Sequence, residues 1–169
     1  MAKKILWILI AVLIIMQFFR PGKNITDKAS PQAIGNHYPL PAEVKDILQV
    51  SCFDCHSNNT RYPWYAEIQP FGWLLANHIK EGKEHLNFDE FASYSRDDQL
   101  DYFEDIEEVI QKKEMPLKSY TFIHRDARLN DSKMAQLLRW TADCRTYAQK
   151  AASTHPQLDE PDEEHEEER

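Results

Sequence analysis

The chain has 169 residues, 28 acidic against 20 basic, for a net charge of −8. That length holds one ordinary domain with appendages, and the charge excludes a nucleic-acid binder built on a basic face. Only four glycines are present, which argues against Gly-rich phosphate loops and long β-meanders. A protein partner recognised electrostatically would present a basic patch.

The chain opens with Lys3 and Lys4, then an apolar run from Ile5 to Phe19 broken only by Gln17. A cleaved secretory signal needs small residues after its apolar core. Here the run ends Met16-Gln17-Phe18-Phe19-Arg20-Pro21, so an uncleaved anchor within residues 1–20, a single N-terminal transmembrane helix, is the favoured reading over a removed signal. Fifteen residues rise only about 22 Å against a hydrocarbon core of roughly 30 Å. Ala2 and snorkelling Lys3, Lys4 and Arg20 would have to make up part of that shortfall. Residues 21–40, polar with scattered proline and glycine, read as a linker lifting the domain from the bilayer.

The folded domain is expected over 41–150. Pro41 opens a short helix with Val44, Ile47 and Leu48 on its apolar face. Pro70 starts a second, carrying Trp73, Leu74 and His78 and ending near Gly82. Ser95 with Asp98 resembles a capping box for a third. There Leu100, Phe103, Ile106, Val109 and Ile110 recur at helical spacing, and Met115-Pro116 forces a stop. Asn130 or Asp131 caps a last helix with Met134, Leu137, Leu138, Thr141, Cys144 and Ala148 along one face. Residues 151–169 read as a solvated, disordered acidic tail.

Between the first two helices lies Cys52-Phe53-Asp54-Cys55-His56. Cys-x-x-Cys-His is the attachment signature of c-type haem. Two thiols add across the porphyrin vinyl groups, and the adjoining histidine is held beneath the iron. A thioredoxin-type redox pair would sit in a βαβ context that is absent here. A zinc site would need a second ligand pair, and a disulfide across two residues would be strained. Because c-type haem is attached outside the cytoplasm, the motif also places the domain on the exported side. The charges flanking the apolar run, nearly balanced, leave that orientation open.

The sixth iron ligand is expected to be Met115, kept in an extended loop by Pro116. His78, His85 and His124 compete, His78 most strongly. Met134 is read as core filling, and Cys144 as a small buried hydrophobe. Trp64, Tyr65, Trp73 and Tyr120 are candidates for the haem edge.

Cys52-Phe-Asp-Cys-His-Ser-Asn with Tyr62-Pro-Trp-Tyr resembles the haem-binding domain family of bacterial c-type cytochromes. Gly82, Asn87-Phe88, Met115-Pro116-Leu117-Lys118-Ser119-Tyr120, Leu129 and Trp140 fit the same family, so the likeness runs over about residues 40 to 145. It implies one covalent haem c, a mainly α, cytochrome c-like helical domain around it, His56 as proximal ligand and Met115 as distal ligand. The expected function is a membrane-anchored carrier of single electrons at the periplasmic face of the inner membrane. It would work with redox partner proteins at the membrane surface and act on no small-molecule substrate, so it is not an enzyme. The alternative is a haem sensor or small peroxidase with an open distal site.

Overall fold

The computed structural model describes residues 1–154, and these are mainly helical, with no strand among them. In chain order the α-helices are α1 (Ala2–Met16), α2 (Ile34–His37), α3 (Ala42–Ser51), α4 (Phe53–His56), α5 (Phe71–His85), α6 (Arg96–Gln111), α7 (Lys118–Ile123) and α8 (Asp131–Thr154). Short 3₁₀ turns at Trp64–Glu67, Phe88–Ser93 and Arg125–Ala127 join several of them.

Local chemistry accounts for most of the boundaries. Pro41 and Pro70 stand at the N-caps of α3 and α5. Ser95 caps α6 by accepting a hydrogen bond from the Asp98 amide at 3.1 Å, while its hydroxyl donates to the Asp98 carboxylate at 2.7 Å. The Asn130 side chain accepts from the Lys133 amide at 2.8 Å and starts α8. The end of α6 differs from expectation. The helix stops at Gln111, and the stop is Lys113 in the left-handed region at φ 57°. The Glu114 amide then folds back onto the Val109 carbonyl at 2.9 Å, a left-handed C-terminal cap made by a lysine where glycine is usual. The turn is complete before Pro116 is reached. Helix α5 continues three residues past Gly82, to His85.

The core is aromatic and lies between α3, α6 and α8. Phe91 and Phe103 are wholly buried, with ring centroids 5.1 Å apart. Tyr38 meets both rings edge-on, and Trp140 meets Phe103 at 5.9 Å and 87°. Edge-to-face pairs of this kind add about 0.5–1.5 kcal/mol each beyond their burial. The Trp140 indole N–H donates to the Pro39 carbonyl at 2.9 Å, which satisfies its polar edge in the interior. Cys144 is buried in this cluster and Met134 packs at its margin.

Two expectations need correcting. The transmembrane helix expected within residues 1–20 is a helix of 15 residues, and among the described residues no helix is long and apolar enough to cross a membrane. Gln17 is the C-cap of this helix, its side-chain amide donating to the Leu13 carbonyl at 2.8 Å and to the Gln69 carbonyl at 3.2 Å. Residues 21–40 are also no free linker. Ile34 and Tyr38 are part of the core. The Asn24 side chain donates to the Ser57 carbonyl at 2.8 Å and accepts from Lys83 Nζ at 2.8 Å. The Asn24 amide donates to the Tyr62 hydroxyl at 2.6 Å. The folded unit therefore begins well before residue 41, and α8 carries it past residue 150. The acidic tail beyond Thr154 lies outside the described residues.

Candidate cofactor site

Helices α3 and α4 meet at Cys52, whose backbone (φ −128°, ψ −45°) breaks the helix and turns the chain into the four residues of α4. That kink puts Cys52, Cys55 and His56 on one wall of a cavity of about 750 Å³, within the size range of cofactor pockets. Leu75, His78, Gly82 and His85 of α5 form another wall, Ile106, Val109 and Ile110 of α6 a third, and Met115-Pro116-Leu117 with Tyr120 close the far side. All four residues singled out in the sequence, Cys52, Cys55, His56 and Met115, line this one space.

Close approach of α5 to α4 depends on Gly82. A Cβ at this position would stand 2.8 Å from the Cys55 carbonyl oxygen and 3.2 Å from the Cys55 Cβ, distances that require the backbone to move. Glycine therefore lets the two helices bring their cavity-lining residues together.

Beyond Gly82, α5 ends and Leu86 is extended (φ −155°, ψ 126°). Its free carbonyl accepts a 2.9 Å hydrogen bond from the His56 ring at Nδ1. A carbonyl is only an acceptor, so Nδ1 carries the proton and Nε2 is the lone-pair nitrogen. Metal-binding histidines are oriented in this way by the partner on their other nitrogen. Burial pushes His56 below the usual histidine value, against the opposing pull of the Leu86 and Gly82 backbone. The neutral, ligating form is thus favoured.

Cys52, Cys55 and Cys144 all carry free thiols. Burial pushes Cys52 up to about 12 and, with Asp54 beside it, Cys55 up to about 11. Neither is a ready thiolate, as a disulfide-exchange pair would require. The thiols instead face an apolar cavity beside a tautomer-locked imidazole.

Asp54 is the residue that the sequence pattern did not single out. It is buried, and its carboxylate accepts from the Tyr120 hydroxyl at 2.6 Å. It also accepts from Arg61 through the amide at 3.0 Å and through Nε and Nη2, each at 3.2 Å. Burial and the bond to Asp54 raise Tyr120 far above the ordinary phenol value, so it stays a donor. Tyr120 stacks on His124 with centroids 4.4 Å apart, and His124 in turn meets the Tyr65 hydroxyl at 2.9 Å. This network ties the Cys-x-x-Cys loop to α7 and to the Trp64–Glu67 turn. Its one sequence clue was an acidic residue between the two cysteines.

The remaining candidates divide. His78 and His85 line the cavity with Met115, whereas His124 serves the network instead. Tyr120 lines the cavity. Trp64, Tyr65 and Trp73 lie outside that lining, and Trp73 donates its indole N–H to the Phe19 carbonyl at 2.6 Å. Glu81, Glu84, Asp105 and Glu108 also line the cavity, and among the described residues no lysine or arginine does. Ser51 Oγ is buried on the same wall with no hydrogen-bond partner among the described residues.

A mainly apolar cavity with acidic residues in its lining, holding an oriented neutral histidine, two adjacent protonated thiols and a thioether in a small helical domain, has the donor set of a tetrapyrrole-iron binder. The chain belongs to the haem-binding domain family, whose model matches residues 11–143. No curated protein and no solved structure matches it.

Proposed function

We propose that this haem-binding protein is a monohaem c-type cytochrome, attached to the inner membrane by its N-terminal segment, that passes single electrons at the periplasmic face. The observation that carries this reading is the Nδ1–H···O=C bond from His56 to Leu86, which leaves Nε2 as the ligating nitrogen beside both thiols. Cys52 and Cys55 would hold the macrocycle through thioether bonds, His56 would be the proximal ligand and Met115 the distal one. The haem supplies an iron centre that changes charge by one electron, at a potential that thioether ligation raises relative to two histidines. The chain's own residues do the rest. The Leu86 carbonyl fixes the imidazole, the Asp54 network fixes the loop bearing the thiols, and the apolar side chains exclude water. The acidic cavity rim fits a redox partner with a basic contact patch, and no reaction on a small-molecule substrate is proposed.

Covalent attachment is tested by expressing the full chain in a host with haem-attachment machinery. Peroxidase-type haem stain should survive a denaturing gel and should vanish when Cys52 and Cys55 are both replaced by alanine. A stain that persists in the double variant overturns the assignment.

One observation favours a second reading. Met115 is 38% exposed on a loop, so a distal site left open, as in a haem sensor or small peroxidase, is the alternative. Ready binding of carbon monoxide by the reduced native protein would select it.

A further inference from the structure

We infer that the haem domain is seated directly on the lipid surface by an aromatic footing made of Phe18, Phe19, Trp64, Phe71, Trp73 and Leu74. This inference rests on the membrane attachment proposed above and adds the face that the domain turns to the bilayer. Helix α1 buries none of its residues against the domain, so its apolar surface needs a nonpolar surrounding. The C-terminal end of α1 is a rigid joint. The Gln17 side chain donates to the Gln69 carbonyl at 3.2 Å and accepts from the Gln69 amide at 2.9 Å. Arg20 and Lys23 both bind Glu67, at 2.7 and 2.6 Å, and the Trp73 indole N–H reaches the Phe19 carbonyl. The end of α1 is thereby pinned to the Trp64–Glu67 turn and to the start of α5.

Those two elements carry the exposed apolar groups. In a 3₁₀ turn residues three apart share a face, so Trp64 lies on the side of Glu67, where Arg20 and Lys23 are held. Trp64 is 77% exposed, Phe18 81% and Phe19 65%, and Phe71 and Leu74 are exposed by more than half. Scattered exposed hydrophobes need no explanation, but these six fall on three segments that the joint ties together. Tryptophan and phenylalanine edged by cations is the composition of a protein surface at the membrane–water interface. The joint also disposes of Gln17, the polar break in the apolar run, because its amide is fully engaged with Leu13 and Gln69.

The test places a photoreactive diazirine residue, one site at a time, in the full-length holoprotein reconstituted into vesicles of phosphatidylethanolamine and phosphatidylglycerol. Position 9 reports on α1, position 64 on the footing, and position 147 is an exposed aromatic site on α8. Phe71 replaces position 64 should that variant fail to incorporate haem. Phospholipid labelling at 9 and 64 with none at 147 is expected. Labelling at 9 alone overturns the footing and leaves membrane attachment standing. Labelling at neither 9 nor 64 overturns the attachment itself, and labelling at 64 without 9 removes α1 from the bilayer and the footing as drawn with it. Labelling at all three positions shows no preferred face and also overturns the inference.

Discussion

The half of the domain around α6 and α8 and the half around α4 and α5 solve different packing problems. On the first, Phe91, Phe103, Leu137 and Trp140 are buried together and the aromatic rings meet one another, while Ile106, Val109 and Ile110 of the same α6 line the cavity. On the second, α5 approaches α4 closely at Gly82, and the helices part around a cavity lined by polar and apolar groups together. The first half is stabilised by side chains that the protein supplies. The second is held open by a polar scaffold, Asp54 with Arg61 and Tyr120, and by one backbone carbonyl. Stability and cofactor binding should therefore respond to different substitutions.

Phe103→Ala gives the largest expected change. It should lower unfolding stability by about 3–5 kcal/mol, measured by denaturant titration, while the haem spectrum of the folded fraction stays unaltered. A changed iron spectrum in this variant would break the division between the halves. Asp54→Ala leaves the Tyr120 hydroxyl and the Arg61 guanidinium without their shared acceptor. Losing charge-assisted hydrogen bonds of this kind costs roughly 1.5–3 kcal/mol, and here the yield of haem-loaded protein should fall with it. Gly82→Ala forces α5 away from Cys55 and should cost about 1–3 kcal/mol, again with reduced haem incorporation. Equal loading of Gly82→Ala and wild-type protein would show that close helix approach is not needed.

Met115→Ala sharpens the comparison within the cavity. It should abolish the weak sulfur-to-iron band in the far red, lower the reduction potential and admit carbon monoxide. Met134→Ala, on the core side, should leave the band in place. A native spectrum without that band, altered by His78→Ala and not by Met115→Ala, would transfer the distal role to His78. The smallest effect is expected at Lys113→Gly. It relieves a left-handed non-glycine residue, so thermal unfolding should move upward by no more than the equivalent of about 1 kcal/mol.

What the sequence disclosed divides along physical lines. Helices α3, α5, α6 and α8 were legible because apolar periodicity and capping residues are local, and the Ser95–Asp98 cap appears as expected. The cofactor motif was legible because both thiols and the histidine lie within five residues. The Gln17–Gln69 and Arg20–Glu67 joints were not, since each pairs residues about fifty positions apart and leaves no periodic trace. Residues 21–40 looked like a linker by composition, yet they fold because Asn24 supplies both a donor and an acceptor to groups far along the chain. The Leu86 carbonyl that orients His56 was invisible for another reason. A main-chain oxygen has no residue identity to read. Trp64 and Trp73 were placed at the cofactor edge on aromatic character alone, which does not distinguish an inward wall from an outward face.

Helix α5 carries Phe71, Trp73 and Leu74 at its start and Leu75, His78, Gly82 and His85 along its course. At about 1.5 Å per residue, His78 stands roughly 10 Å beyond Phe71 along the axis, and His85 about 21 Å beyond it. A single rigid rod thus gauges the separation between the tryptophan-bearing end and the cofactor cavity. Under the proposed membrane footing, the length of this one helix sets how high the cavity stands above the lipid.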